Sequence, residues 1–152
     1  MNFEAETSID KPPREVYDFL LDKENLILWL TRFNQYITIS GESDEKGSEA
    51  WYIFGFRNTK VKFHTRILEL IVPTLIHTQL ENKWVNILLK VEISEEAKHR
   101  SNVNFSAEYF PKTFLFRLYW LLNSRAIKKR HKRDLNNLKQ VISIKNEVLG
   151  LV

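Results

Sequence analysis

A chain of 152 residues, 43% apolar and 28% charged, has the size and make-up of one globular domain with its own core. It has no cysteine, which excludes disulfide staples, thiol nucleophiles and cysteine metal sites, and fits a reducing compartment. The net charge of +4 is unevenly spread: residues 1–111 hold 13 Lys and Arg against 17 Asp and Glu, residues 112–152 hold 10 against 2.

The opening residues alternate, with Phe3, Ala5, Thr7 and Ile9 on one side, the period of a half-buried strand. No charged-then-apolar leader precedes it, so a cytoplasmic protein is expected. Pro12 and Pro13 stop the strand and start a short helix, with Val16, Phe19 and Leu20 on one face. Residues 24–33 read as a second short helix bearing Leu26, Leu30 and Phe33, flanked by Ile27 and Trp29.

Six strands are predicted next, over 36–40, 48–56, 59–71, 74–81, 84–94 and 101–109. The third strand of the chain, with Trp51, Tyr52, Phe54 and Phe56, is apolar on both faces. The fourth alternates clearly, Val61, Phe63, Thr65 and Ile67 against Lys60, Lys62, His64 and Arg66. Pro73 ends that strand, Asn82 and Lys83 form a tight turn, and residues 95–100 read as a charged loop.

From Lys112 to Val148 the chain has neither Gly nor Pro, and Phe116, Trp120, Ile127, His131, Leu135, Leu138 and Ile142 recur at helical spacing. At 1.5 Å per residue the segment makes one helix of roughly 50 Å, long enough to cross a small domain. Residues 1–152 therefore form a single α+β domain. Its sheet is curved and antiparallel, of about seven strands, with two short helices after the first strand and the long C-terminal helix covering the apolar face.

This order resembles the helix-grip fold of the START-like (SRPBCC) superfamily, which includes birch-pollen-allergen-like and polyketide cyclase/dehydrase-like proteins. Five stretches carry the resemblance: Ile9–Asp22 (IDKPPREVYDFLLD), Asn25–Leu30, the pair Gly47 and Ser48, Arg66–Pro73, and Asp134–Lys139. It implies a cavity between sheet and closing helix for a small hydrophobic ligand (a lipid, quinone or polyketide-like molecule), bound or transported. An enzyme of polyketide-cyclase type is the alternative it implies, with His131 or Tyr109 assisting proton transfer. The fold hosts many functions, and no catalytic motif of the family maps onto this chain.

Strand parity gives the walls of such a cavity. Phe63, Thr65, Thr78, Leu89, Phe105 and Tyr109 come from the sheet, Trp120, Ile127 and His131 from the helix, and Trp29 and Phe33 form a gate. The same walls describe a filled core equally well. His131 is the polar exception on the helix stripe. Burial and neighbouring cations favour its neutral form, as a satisfied core histidine or as a hydrogen-bonding group for a ligand. His64 and His77 fall on the opposite sheet face. No metal-binding spacing, phosphate loop or serine elbow occurs, so neither a metal nor a cofactor is expected.

Two features of the helix remain. Phe114–Leu122 is apolar nearly all round, more than a core stripe requires, which points to a homodimer contact or a membrane surface, unless the short helices cover it. Arg125, Lys128, Lys129, Arg130, Lys132 and Arg133 follow without an acid among them. They read either as a solvated face complementing the acidic body or as a patch for an anionic lipid surface or acidic partner. Nucleic acid is disfavoured, since no recognition motif or aromatic stacking platform accompanies them.

Overall fold

The computed structural model describes residues 1–42 and 44–150, with side chains described through residue 144. Strand β1 (Asn2–Ile9) leads to helix α1 (Pro13–Leu21), a 3-10 turn (Lys23–Asn25) and the one-turn helix α2 (Leu26–Trp29). Then come β2 (Phe33–Ser40), β3 (Glu49–Phe56), β4 (Thr59–Ile71), β5 (Leu75–Glu81), β6 (Val85–Ala97), β7 (Arg100–Pro111) and α3 (Phe114–Gly150). The strands form one antiparallel sheet in the order β1-β7-β6-β5-β4-β3-β2. Strands β1 and β2 thus occupy opposite edges, and the short helices between them must cross the width of the sheet. This is the helix-grip architecture.

Register turns the alternation of single strands into one apolar surface. Val91 pairs with Phe105, Leu89 with Ala107 and Ile87 with Tyr109. Phe105 and Ala107 pair in turn with Ala5 and Phe3. Side chains alternate sides along a strand, so these rows share one face, and α3 lies across it against β1 and β7. Ile127, His131, Leu135, Leu138 and Ile142 are all buried there, at intervals of four, four, three and four residues. Each aliphatic side chain in that row contributes up to about 1.5–3 kcal/mol by leaving water.

Local chemistry sets the ends of the elements. Pro13 opens α1, where a missing N–H costs nothing. The Asp22 carboxylate accepts from the Glu24 N–H at 3.0 Å and starts the 3-10 turn. Thr113 Oγ1 accepts from the Phe116 N–H at 3.2 Å at the start of α3.

The structure corrects the predicted boundaries in two places. The second helix ends at Trp29 rather than reaching Phe33: Leu30 is extended, Arg32 has φ = 64°, and its carbonyl accepts from the Gly55 N–H at 2.8 Å. This tight reversal makes Phe33 the first residue of β2 instead of a helical one. Residues 95–100 do not form a loop, because β6 and β7 continue as a ladder to a turn at Ala97–Arg100 that His99 closes with φ = 60°. Glu95 and Glu96 are adjacent and both exposed because this end of the hairpin is open to water on both faces, and without a buried face sequence alone reads it as loop.

Candidate functional site

A cavity of about 560 Å³ lies between the sheet, α2 and α3. The exposed members of its lining mark the mouth: Arg32, Thr59, Trp84, Leu115 and Tyr119. The inner walls are hydrocarbon and aromatic ring, including Val61, Phe63, Ile76, Leu80, Leu89, Val91 and Phe105. A second hollow, along Glu6, Lys90, Glu92, Asn102 and Asn104, sits on the sheet face turned away from α3; it is open, and charged groups share its lining with Ile71, Leu75 and Ile93.

Of the residues proposed from strand and helix parity, the structure brings eight to the cavity: Trp29, Phe63, Thr78, Leu89, Phe105, Tyr109, Ile127 and His131. Three take other positions. Phe33 is buried with its ring edge-on to Tyr52 and Phe54, at 5.7 and 5.5 Å, and so backs the cavity wall. Thr65 keeps its inward parity but is packed in the core, paired with Ala50 and Leu80, and its hydroxyl has no partner. Trp120 is buried against Tyr109, with ring centroids 4.6 Å apart, and covers that ring from behind. Trp29 and Phe33 are both buried, the first in the cavity lining and the second behind it.

The polar end of the cavity is built by β7 and α3. Tyr109 Oη and His131 Nε2 lie 2.5 Å apart in a buried hydrogen bond, with the histidine tautomer deciding which group donates. Phe3 stacks on the imidazole at 4.9 Å and 22°, and Phe105 leans on it at 5.4 Å. Burial pushes the His131 pKa down to about 3, helped by the neighbouring Arg130 cation. Burial pushes Tyr109 up to about 12, with Arg130 acting against it. Both groups are therefore neutral near pH 7, and the pair offers one proton donor and one lone pair in an apolar setting. Arg130 also lines the cavity. Its place in the chain, three residues after Ile127, turns it away from the other cations of the basic run and toward the ligand space.

A second polar contact fixes the near wall. Asp134 is buried and accepts from the Thr31 backbone N–H at 2.8 Å and from the Thr31 hydroxyl. Burial raises its pKa, and the two Thr31 bonds oppose the rise. Asn137 Nδ2 donates to the Trp29 carbonyl at 3.3 Å. Together these tie α3 to the end of α2 and hold Trp29 against the cavity. Lys23, buried and lowered in pKa by burial, also lines the site. Parity and helical spacing did not point to Lys23, Thr31 or Asp134. The one available signal was the lone acid Asp134 after six cations.

Of the basic run, Arg125, Lys128, Lys129, Lys132 and Arg133 are exposed on the outer side of α3. His64 is on the outer sheet face, 3.4 Å from Glu49. Among the described residues no group of three His, Asp or Glu side chains is placed to hold a metal ion, and no helix is long and apolar enough to cross a membrane.

No protein-family model and no curated protein matches this sequence. Solved structures do match. TTHA0849 from Thermus thermophilus superposes with a TM-score of 0.78 at 16% identity, over 95% of this chain and 99% of that one. Ara h 8.0201 gives a TM-score of 0.71 at 11% identity, over 93% and 97%. The di-domain ARO/CYC BexL from the BE-7585A biosynthetic pathway gives 0.72 at 14% identity, over 92% of this chain and 45% of that one. Identities this low speak for the fold alone, and on that the three agree: the chain has a START/SRPBCC-like helix-grip fold.

Proposed function

We propose that this protein binds or carries a small hydrophobic ligand bearing an oxygen function, whose apolar body fills the cavity and whose oxygen meets Tyr109, His131 and Arg130. The observation that carries the reading is the Tyr109–His131 hydrogen bond at the wall of a largely apolar space of about 560 Å³. Apolar walls with a few convergent polar groups are the usual form of a small-molecule site. A lipid, a quinone or a polyketide-like molecule has this division between body and oxygen. The name of BexL, an ARO/CYC protein of a biosynthetic pathway, agrees with ligands of the last kind.

The same hydrogen bond favours a second reading, in which the pair moves a proton on a bound substrate as in a polyketide cyclase. A general base or acid works best with a pKa near the working pH, and His131 near 3 and Tyr109 near 12 are both displaced from it. Neutral groups held apart in this way orient an oxygen better than they exchange a proton, so binding ranks first.

Native mass spectrometry of the protein purified from its own host tests the proposal, followed by denaturing analysis of whatever co-purifies. One apolar molecule per chain is the expected result, and Tyr109→Phe then weakens its binding about two- to tenfold, the net worth of one hydrogen bond. A bare protein mass, with no thermal shift across a panel of lipids and quinones, rejects it in favour of a filled core.

A further inference from the structure

The outer side of α3 is divided along its length. Phe114, Leu118, Leu121, Arg125, Lys128 and Lys132 recur at intervals of four and three residues, so they form one row on the helix. The row is apolar over its first three members and cationic over the rest. Phe114 is 78% exposed and Leu121 74%, and the flanking Leu115 and Leu122 are as open. Aliphatic and aromatic groups clustered in this way exceed the scattered apolar exposure of an ordinary surface. Among the described residues, no carboxylate lies within ion-pair distance of Arg125, Lys128, Lys129 or Lys132.

We infer that this row is a docking surface for an anionic lipid bilayer. The apolar turns enter the headgroup–acyl boundary, and the cations of the following turns stay at the level of the phosphates. The centres of the two halves are about 15 Å apart along the helix. A helix inclined with its apolar end down therefore sinks that end by the roughly 5–10 Å typical of interfacial helices. A bilayer supplies hydrocarbon and negative charge in a single surface. A second copy meeting this one through the same face of α3 does not, since α3 holds no acid between Phe114 and Arg133 to meet the cations. A nucleic acid offers no cover for the leucines. Docking holds whatever the cavity contains; because Leu115 and Tyr119 also line the cavity, the docked helix brings the mouth to the lipid.

Vesicle flotation of the full chain at low salt tests this, with phosphatidylcholine alone and with equal parts phosphatidylcholine and phosphatidylserine. Wild type is expected to float with the anionic vesicles and to be released by added salt. Each cation near an anionic surface is worth about fivefold in affinity, so Lys128→Gln, Lys129→Gln and Lys132→Gln together weaken binding about a hundredfold. Leu121→Ser with Leu122→Ser abolishes it as well. All five positions are exposed, and an unchanged melting temperature certifies the fold of each variant. Wild type that stays unbound, or binding that survives the leucine pair, overturns the inference. So does a solution dimer that Leu121→Ser and Leu122→Ser convert to monomers without any effect on lipid.

Discussion

The two halves of α3 share one backbone and little else. Between Ile127 and Ile142 the helix puts an apolar residue or His131 on the core at every turn and leaves its charges outside, apart from the buried Asp134 and the half-buried Arg130. Between Phe114 and Leu122 only Trp120 is buried and Phe116 half-buried, while most of the apolar side chains face outward. The second half fastens the helix to β1, β7 and α2, and the first forms the rim of a cavity. Apolar character in the two halves thus has different consequences: in one it is core, in the other it is surface. Helical periodicity separates them, because a core half is amphipathic and a rim half is apolar around most of its circumference.

The sharpest way to break that comparison is to remove the same hydrocarbon from each half. Leu138 is 1% exposed and belongs to the core cluster. Leu138→Ala is expected to cost about 2–5 kcal/mol, the transfer term plus the cavity left behind, read as a shift of the urea midpoint at constant slope. A cost below about 1 kcal/mol would show that the second half is less firmly seated than its burial implies.

How far the sequence discloses this arrangement follows from the range of the forces involved. Alternation in β4, β5, β6 and β7 and the stripe from Ile127 to Ile142 are consequences of burial, which leaves a period in the chain, and they identify the fold and seven of the cavity residues. Phe33 is misplaced because its helical spacing from Leu26 and Leu30 is real, while the reversal at Arg32 rests on a hydrogen bond to Gly55, 23 residues away. Thr31 and Asp134 meet across 103 residues, and Tyr109 and His131 across 22. Side chains that find each other only after folding leave no period, so a polar site is less legible than the apolar walls around it.

The half that holds the core also holds a titratable group, and acid separates its contribution from the rest. The imidazole of His131 titrates near 6.5 when unfolded and near 3 when buried beside Arg130. Between those values the unfolded chain binds the extra proton, so stability is fully present above about pH 6.5 and is lost as pH falls toward 3. The slope reaches at most about 1.4 kcal/mol per pH unit. Asp134 acts in the opposite sense, since burial raises its pKa and its contribution fades as pH rises through the carboxylate range. Comparison with His131→Gln, in which Asp134 is unchanged, isolates the histidine: the two stability curves should converge on acidification. Parallel curves would mean that His131 is protonated in the folded protein and that the polar end of the cavity is charged in acid.

The smallest effect is expected at the rim. Leu121 is 74% exposed, and alanine is the better helix former, so Leu121→Ala should change stability by no more than about 0.5 kcal/mol in either direction. A near-zero result beside a large one at Leu138 shows that the apolar residues of the first half do not stabilise the folded monomer, leaving their exposure to be explained by what they touch. A loss of about 2 kcal/mol or more carries the opposite lesson. The side chain would then be covered in solution, and a midpoint that rises with protein concentration would identify the cover as another copy of the chain.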